Sequence, residues 1–160
     1  MPTFDITSEF NNQEITNAVD QAYREIANRY DFRNTGTSIA FNEKTIVLKS
    51  STEERLKAAE QVLKEKFVKR NVSIKFLSDV KIEKTPSEIK HSYNLKSGIL
   101  QDESKQIISL IKKEYKKVQC TYQNLSIRIS AKKRDELQEI IQFLKDSNLD
   151  MPINFGNFRD

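Results

Sequence analysis

The chain has 160 residues, of which 37% are apolar and 31% charged, with nine Phe and five Tyr. This composition excludes a wholly disordered chain, and no stretch approaches the roughly 18 uninterrupted apolar residues of a membrane span. The net charge of +4 is uneven, because residues 1–60 carry −3, residues 61–134 carry +11 and residues 135–160 carry −4. The basic middle favours a polyanionic partner, although lysines that only keep a thin-cored protein soluble would give the same pattern.

Apolar residues at spacings of three and four predict four helices. The stripe of the first helix includes Tyr23, and Asn11 with Glu14 has the spacing of a capping box. Ser51 with Glu54 has the same spacing at the start of the second helix. The predicted helices cover 12–30, 52–69, about 101–116 and about 133–146.

Between the helices the apolar period changes to two, which predicts strands. Two hairpins are predicted, around the turns Asn42-Glu43-Lys44 and Gln123-Asn124. The segment 77–90 contains Pro86 and mixed charges, which suggests a linker or an irregular edge strand. Single strands are predicted over 3–8, about 74–82, about 91–96 and 153–158.

The same order of elements, β-α-β-β-α-β, occurs twice. Ile46 and Leu48 of the first hairpin recur 81 residues later as Ile127 and Ile129. Strand–helix–hairpin–helix–strand is the ferredoxin-like plan, an antiparallel sheet with both helices on one face. The sequence therefore predicts the α+β class, with two tandem ferredoxin-like domains.

Few residues are available for catalysis or metal binding. His91 is the only histidine and Cys120 the only cysteine, so the chain has almost no residues from which to build a His/Cys metal site or a catalytic triad. The three glycines lie too far apart for a phosphate-binding loop. A lone cysteine and no visible secretory signal favour the cytoplasm. We therefore expect a cytoplasmic protein that is not an enzyme and has no cofactor and no metal.

Basic residues crowd the third helix and the segment after the second hairpin. Lys112, Lys113 and Lys117 lie at the end of the helix, and Lys132 and Arg134 follow the hairpin. If the hairpin packs beside that helix, the two clusters converge on one rim that would suit the phosphates of a nucleic acid. Lysines at a helix C-terminus also offset the helix dipole on a solvated face, so both interpretations stay open. The aromatic signature of RNA-recognition domains is absent from both hairpins.

Several motifs distributed over the whole chain are specific. The opening MPTFDITSE, the segments NRYDFRN (28–34) and LKSGI (95–99), and the closing PINFGNFRD (152–160) resemble the bacterial YajQ family. SKQIISLIKK (104–113) and RISAKKRDELQ (128–138) fit the same pattern. The resemblance implies two ferredoxin-like domains that exchange their first strands.

In this arrangement, strand 3–8 joins the C-terminal sheet and strand 91–96 joins the N-terminal one. The first domain is then expected over 9–97, and the second over 1–8 plus 98–160.

The resemblance also implies a function. It implies a non-catalytic nucleotide-binding protein, whose ligand is RNA or, for some members, cyclic di-GMP, with a regulatory role left open. The alternative is an adaptor whose basic face meets an acidic protein partner. No membrane contact is expected. The candidate nucleotide-binding residues are Arg33, Lys105, Lys112, Lys113, Lys117, Arg128, Lys132, Arg134 and Arg159, and Lys96 is a further motif position.

Overall fold

The structure is a computed structural model that describes all residues 1–160. The chain forms two compact units: residues 10–96 form the N-terminal unit, and residues 1–9 with 97–160 form the C-terminal unit. In chain order the elements are β1 (Thr3–Thr7), α1 (Asn12–Asn28), a 3-10 turn (Tyr30–Phe32), β2 (Ser38–Asn42), β3 (Thr45–Ser50), α2 (Glu53–Lys69), a second 3-10 turn (Ile74–Leu77), β4 (Val80–Lys84), β5 (Ile89–Asn94), α3 (Gln101–Glu114), β6 (Gln119–Gln123), β7 (Ser126–Ser130), α4 (Arg134–Asp146) and β8 (Asn154–Arg159).

Each unit holds one four-stranded antiparallel sheet and two helices, which confirms the predicted α+β class and the repeated ferredoxin-like plan. The four predicted helices and the two hairpins are confirmed with small shifts at their ends. None of the helices combines the length and the apolar character needed to cross a bilayer.

The N-terminal sheet has the strand order β2-β3-β5-β4. Ile46 and Leu48 of β3 are fully buried against Leu56 and Leu63 of α2 in one apolar core. Their partners in β5, Tyr93 and His91, point to the same helix-covered face because paired residues of an antiparallel ladder share a face.

The C-terminal sheet has the strand order β6-β7-β1-β8, so the first strand of the chain lies in its middle. Phe4 and Ile6 of β1 are fully buried in a core with Ile127 and Ile129 of β7. Beyond the strand ends, the Ala131 N–H donates to the Pro2 carbonyl at 3.2 Å. The alternate residues of these strands form an open, polar face on the side of the sheet away from the helices.

Two sequence-based predictions fail in the N-terminal unit. The single strand over 74–82 is wrong, because Ile74–Leu77 is a 3-10 turn and only Val80–Lys84 extends as an edge strand. The Ser73 hydroxyl, which accepts from the Lys75 N–H at 3.2 Å, favours the turn at this point. The α2 cap is Thr52, whose hydroxyl accepts from the Arg55 N–H at 3.2 Å, and not Ser51.

The start and the apolar stripe of α1 also need revision. Asn11 does cap the helix, since its side chain accepts from the N–H groups of Gln13 and Glu14. The Glu14 carboxylate, however, binds Arg70 of the following helix and does not reach back to complete a capping box. Tyr23, which the stripe placed in the core, is 55% exposed.

Candidate functional site

One end of the C-terminal unit brings together the ends of several elements. β6 begins and β7 ends there, since Gln119 pairs with Ser130, and β1 begins and β8 ends there, since Thr3 pairs with both Ser130 and Arg159. The short connections to β6 and from β7 place the end of α3 and the start of α4 at the same end. We call this region the basic end, and define it by Lys112, Lys113, Lys116, Lys117, Lys132, Lys133, Arg134 and Arg159.

Most cations at the basic end have no ion-pair partner. All six lysines are exposed, and none has a carboxylate oxygen within 4 Å. Arg134 is the exception, because its guanidinium donates to the carboxylate of Asp160. The acidic residues of the first turn of α4, Asp135 and Glu136, complement the helix dipole. The basic end therefore presents several cations to solvent at close spacing.

A pocket of about 320 Å³ opens at the basic end, beside the start of α4. Phe158 contributes an aromatic wall that is 57% exposed, and its ring stacks on buried Phe4 with ring centroids 6.0 Å apart. Aromatic surface beside cations is the combination that unpaired nucleotides use, with bases on the ring and phosphates on the cations. The lining residues are Pro2, Thr3, Arg134, Leu137, Gln138, Phe158, Arg159 and Asp160.

A β-bulge brings Phe158 to this pocket. The pairing of β1 with β8 shifts register between Thr3 and Asp5, and Asn157 adopts a positive φ of 53°. The Asn157 side-chain amide donates to the Asp5 carboxylate at 2.7 Å, which stabilises that conformation. A bulge re-aims the side chains that follow it, so the aromatic ring lies at the rim of the sheet.

The N-terminus of α4 has no side-chain cap. Lys133 occupies the cap position in an extended conformation, with φ −124° and ψ 141°, and accepts no hydrogen bond with its side chain. The other three helix starts do have side-chain partners: Asn11, Thr52 and the Glu103 carboxylate, which accepts from the Leu100 N–H at 2.9 Å. The first N–H groups of α4 therefore add to the positive potential at the basic end.

Six of the nine predicted candidates lie at the basic end: Lys112, Lys113, Lys117, Lys132, Arg134 and Arg159. The structure thus brings the two basic clusters of the sequence to one place. Burial raises the pKa of the Cys120 thiol in β6, and the positive charge of Lys112 partly offsets this rise. Neither Phe158 nor Lys133 is among the predicted candidates, and no pattern in the sequence predicted a pocket at this place.

The other three candidates lie elsewhere. Lys105 precedes Lys112 by seven residues on α3, which is about 10 Å along the helix axis. Arg128 lies on the open face of the sheet, where Asp5 accepts from it at 2.9 and 3.3 Å. This hydrogen bond holds the pKa of Asp5 below its usual range. Arg33 belongs to the N-terminal unit, as does the further motif position Lys96.

No arrangement typical of an active site accompanies the basic end. His91 lies in β5 with its Nδ1 3.7 Å from Glu60, whereas Cys120 lies in β6 of the other unit. No group of three His, Cys, Asp or Glu side chains is placed to hold a metal ion. The exposed cations of the basic end can bind an anion.

Comparison with known proteins agrees with this chemistry. The profile of the family described as "Nucleotide-binding protein YajQ-like" matches residues 2–159. The chain belongs to the YajQ family. A member from Hahella chejuensis is 43% identical over an alignment of 161 positions that covers 100% of both chains.

Two further YajQ relatives match at similar levels. The protein from Saccharopolyspora erythraea is 44% identical over 99% of this chain and 98% of its own, and that from Trichodesmium erythraeum is 42% identical over 98% and 97%. All three relatives bear the name nucleotide-binding protein, which states binding and no reaction.

Proposed function

We propose that the protein binds RNA or a guanine dinucleotide such as cyclic di-GMP at the basic end, and does not catalyse a reaction on it. The observation that carries this proposal is the set of six exposed, unpaired lysines beside a pocket that holds Phe158, Arg134 and Arg159. The names of the YajQ relatives support the nucleotide class. We propose that this binding takes place in the cytoplasm and has a regulatory role.

Phosphates are the part of the ligand that the basic end suits best. Each phosphate that a lysine or arginine neutralises releases condensed counterion, so affinity rises with the number of such contacts and falls with salt. For a single strand, the logarithm of the binding constant falls with the logarithm of salt at a slope of about −0.7 per phosphate. Three to five contacts at the basic end would give a slope of roughly −2 to −3.5.

The pocket supplies the place for a base. A base that stacks on the exposed ring of Phe158 would lie next to the guanidinium groups of Arg134 and Arg159, which can then bind its flanking phosphate. Binding would displace Asp160 from Arg134, since both ion-pair partners are largely exposed and such pairs contribute little.

The test is a salt titration of RNA binding with the double variant Lys113→Gln, Lys117→Gln. Both side chains are exposed, so the fold is retained, and the slope should become shallower by up to about 1.4. Affinity should fall similarly for all sequences, because phosphate contacts carry no sequence information. The matched control is Lys57→Gln, Lys69→Gln on α2 of the N-terminal unit, which should leave the slope unchanged.

Three results distinguish the alternatives. A folded double variant with an unchanged slope would show that the basic end is only a solvated face. Binding of cyclic di-GMP without RNA would assign the dinucleotide as the ligand. No RNA or cyclic di-GMP affinity at low salt, together with capture of an acidic protein, would favour the adaptor.

A further inference from the structure

A second pocket, of about 190 Å³, lies in the N-terminal unit between α1 and the segment that leads into β2. It uses none of the residues of the basic end. We call it the Tyr23 pocket, and its lining residues are Tyr23, Ile26, Ala27, Arg29, Phe32, Arg33 and Thr37.

Two aromatic rings at or beside this pocket are exposed, and one of them, Tyr23, belongs to the stripe that the helix pattern placed in the core. Tyr23 is 55% exposed and Tyr30 is 82% exposed, whereas Ala22 and Ile26 of the same stripe are buried. A single exposed aromatic residue is ordinary on a protein surface. Here one ring forms the wall of a concave site and the other lies next to a cation, which is how aromatic residues are arranged to stack on a ligand.

The two arginines of the pocket have different roles. Arg29 is neutralised, because its guanidinium donates to Asp31 at 3.0 and 2.7 Å and to Glu25 at 3.2 Å. It also lies 4.9 Å from the centre of the Phe32 ring, so it forms part of the wall.

Arg33 has no carboxylate oxygen within 4 Å, and its guanidinium lies 5.6 Å from the centre of the Tyr30 ring. A cation–π contact can orient a guanidinium without neutralising it. Arg33 is therefore the cation of the pocket that remains available for an anion.

We propose that the Tyr23 pocket binds a single purine nucleoside monophosphate unit, with the base against Tyr23 and the phosphate on Arg33. A volume of about 190 Å³ is sufficient for one flat ring system. One unpaired cation matches one phosphate. A purine is preferred over a pyrimidine because its larger face gives stronger stacking.

The Tyr23 pocket and the basic end should respond differently to salt and to ligand type. One phosphate contact gives a slope of about −0.7, against roughly −2 to −3.5 for the basic end. An anion without a base should bind the lysines of the basic end and gain little from the Tyr23 pocket. These differences allow the two sites to be tested in the same full-length protein.

The experiment is a series of amide NMR titrations of the full-length protein with GMP, AMP, UMP and inorganic tripolyphosphate. GMP and AMP should shift the resonances of residues 23–37, and UMP should do so more weakly. Tripolyphosphate should shift residues 112–134 and 158–160, and leave 23–37 unshifted. Tyr23→Ala should weaken GMP binding about 10-fold, which is the loss expected for one stacked base. Alanine is well tolerated at an exposed helix position, so the variant should fold.

Three matched variants complete the design. Tyr23→Phe keeps the ring and should bind GMP nearly as the wild type does. Arg33→Gln should remove the salt dependence of GMP binding, whereas Arg24→Gln, an exposed arginine on α1 that pairs with Asp20 at 3.7 Å, should change nothing.

The proposal is overturned if GMP leaves residues 23–37 unshifted, or if both Tyr23→Ala and Arg33→Gln bind GMP as the wild type does. GMP shifts confined to residues 112–134 and 158–160 would retain the proposed function and reject the Tyr23 pocket. Shifts confined to residues 23–37, with no response to tripolyphosphate, would support the pocket and reject the basic end.

Discussion

The two units share a fold, yet the same corner of that fold differs in charge. In the N-terminal unit, β3 leads into α2 through Ser51, Thr52 and Glu53, and the Thr52 hydroxyl caps the helix. In the C-terminal unit, 81 residues later, Lys132, Lys133 and Arg134 lead from β7 into α4, which has no side-chain cap. The ferredoxin-like plan therefore does not require the basic sequence.

Cations at the N-terminal corner are paired as well. Arg55 contacts Asp31 at 3.2 Å and Glu54 at 3.0 Å, and Lys84 contacts Glu53 at 3.7 Å. The equivalent corner of the C-terminal unit leaves Lys132 and Lys133 without a carboxylate within 4 Å. Like charges held close together oppose folding, and an uncapped helix start forgoes a stabilising hydrogen bond. One unit stabilises this corner with a cap and ion pairs, and we propose that the other keeps it available for an anion.

The largest expected effect comes from removing residues 1–8. This segment contains β1, which belongs to the sheet of the C-terminal unit and not to that of the N-terminal unit. This deletion removes Phe4 and Ile6, both fully buried in the C-terminal core. Truncation of one such residue costs about 2–5 kcal/mol, and the two together approach the stability of a whole domain. Hydrogen exchange should show protection lost over residues 97–160 and retained over 10–96. Loss confined to residues 10–70 would contradict this assignment of β1.

An exchange of the two corners tests the comparison directly. The triple variant Lys132→Ser, Lys133→Thr, Arg134→Glu should raise the free energy of unfolding by about 1 kcal/mol, because it introduces a hydroxyl cap. Loss of the exposed pair between Arg134 and Asp160 offsets little of this gain. The same variant should make the salt slope of RNA binding shallower by about 2, for three lost contacts.

The mirror variant Ser51→Lys, Thr52→Lys, Glu53→Arg is its control. It should lower the stability of the N-terminal unit by about 1 kcal/mol through loss of the Thr52 cap. For both triple variants, urea unfolding measures the free energy of unfolding, and RNA titrations at several salt concentrations measure the salt slope. If the first variant is less stable than the wild type, or if it binds RNA with an unchanged slope, the contrast between the corners has no functional meaning.

The smallest effect concerns the open faces of the two sheets. Asp5 pairs with Arg128 in the C-terminal sheet, where the equivalent pair of the N-terminal sheet is the uncharged Ser92 and Val47. Because Arg128 holds the pKa of Asp5 below its usual range, ionised Asp5 stabilises the fold at pH values above about 3.9. This contribution is lost as the pH falls through the lower pKa of the folded state.

Asp5→Asn should therefore lower the urea midpoint at pH 7, and the gap from the wild type should close as the solution is acidified below about pH 4. Asp150→Asn, at an exposed position, should show no gap at either pH. An equal gap at pH 7 and in acid would mean that Asp5 acts through packing and not through its charge.

Periodicity predicted the regular elements well, and failed where the chain is irregular. Ile46 and Ile127 lie at matching places in two hairpins that the alternation of apolar residues specified. The strand expected over 74–82 failed because Ile74 and Phe76 also fit a 3-10 turn, which the Ser73 cap favours. The sequence left 77–90 open between a linker and an irregular edge strand, and the structure has the edge strand Val80–Lys84 there.

The candidate site could be predicted only in part. The runs around Lys113 and Lys132 are visible in the sequence, but their convergence depends on which strands are neighbours. The pairing of Arg128 with Asp5 joins residues 123 positions apart, so no local pattern reveals it. The exposure of Phe158 depends on the bulge at Asn157, and a positive φ in a strand has no reliable sequence signal.

The position of β1 also has a consequence for synthesis. The N-terminal unit is one continuous stretch, residues 10–96, so all of its strands exist before the C-terminal helices are made. β1 leaves the ribosome earlier still, but its partners β7 and β8 follow more than 100 residues later. At translation speeds of about 5–20 residues per second, the strands that pack with Phe4 and Ile6 are synthesised on the order of ten seconds after β1. The central strand of the C-terminal sheet is thus made first and stays unpaired while a complete unit folds behind it in the chain.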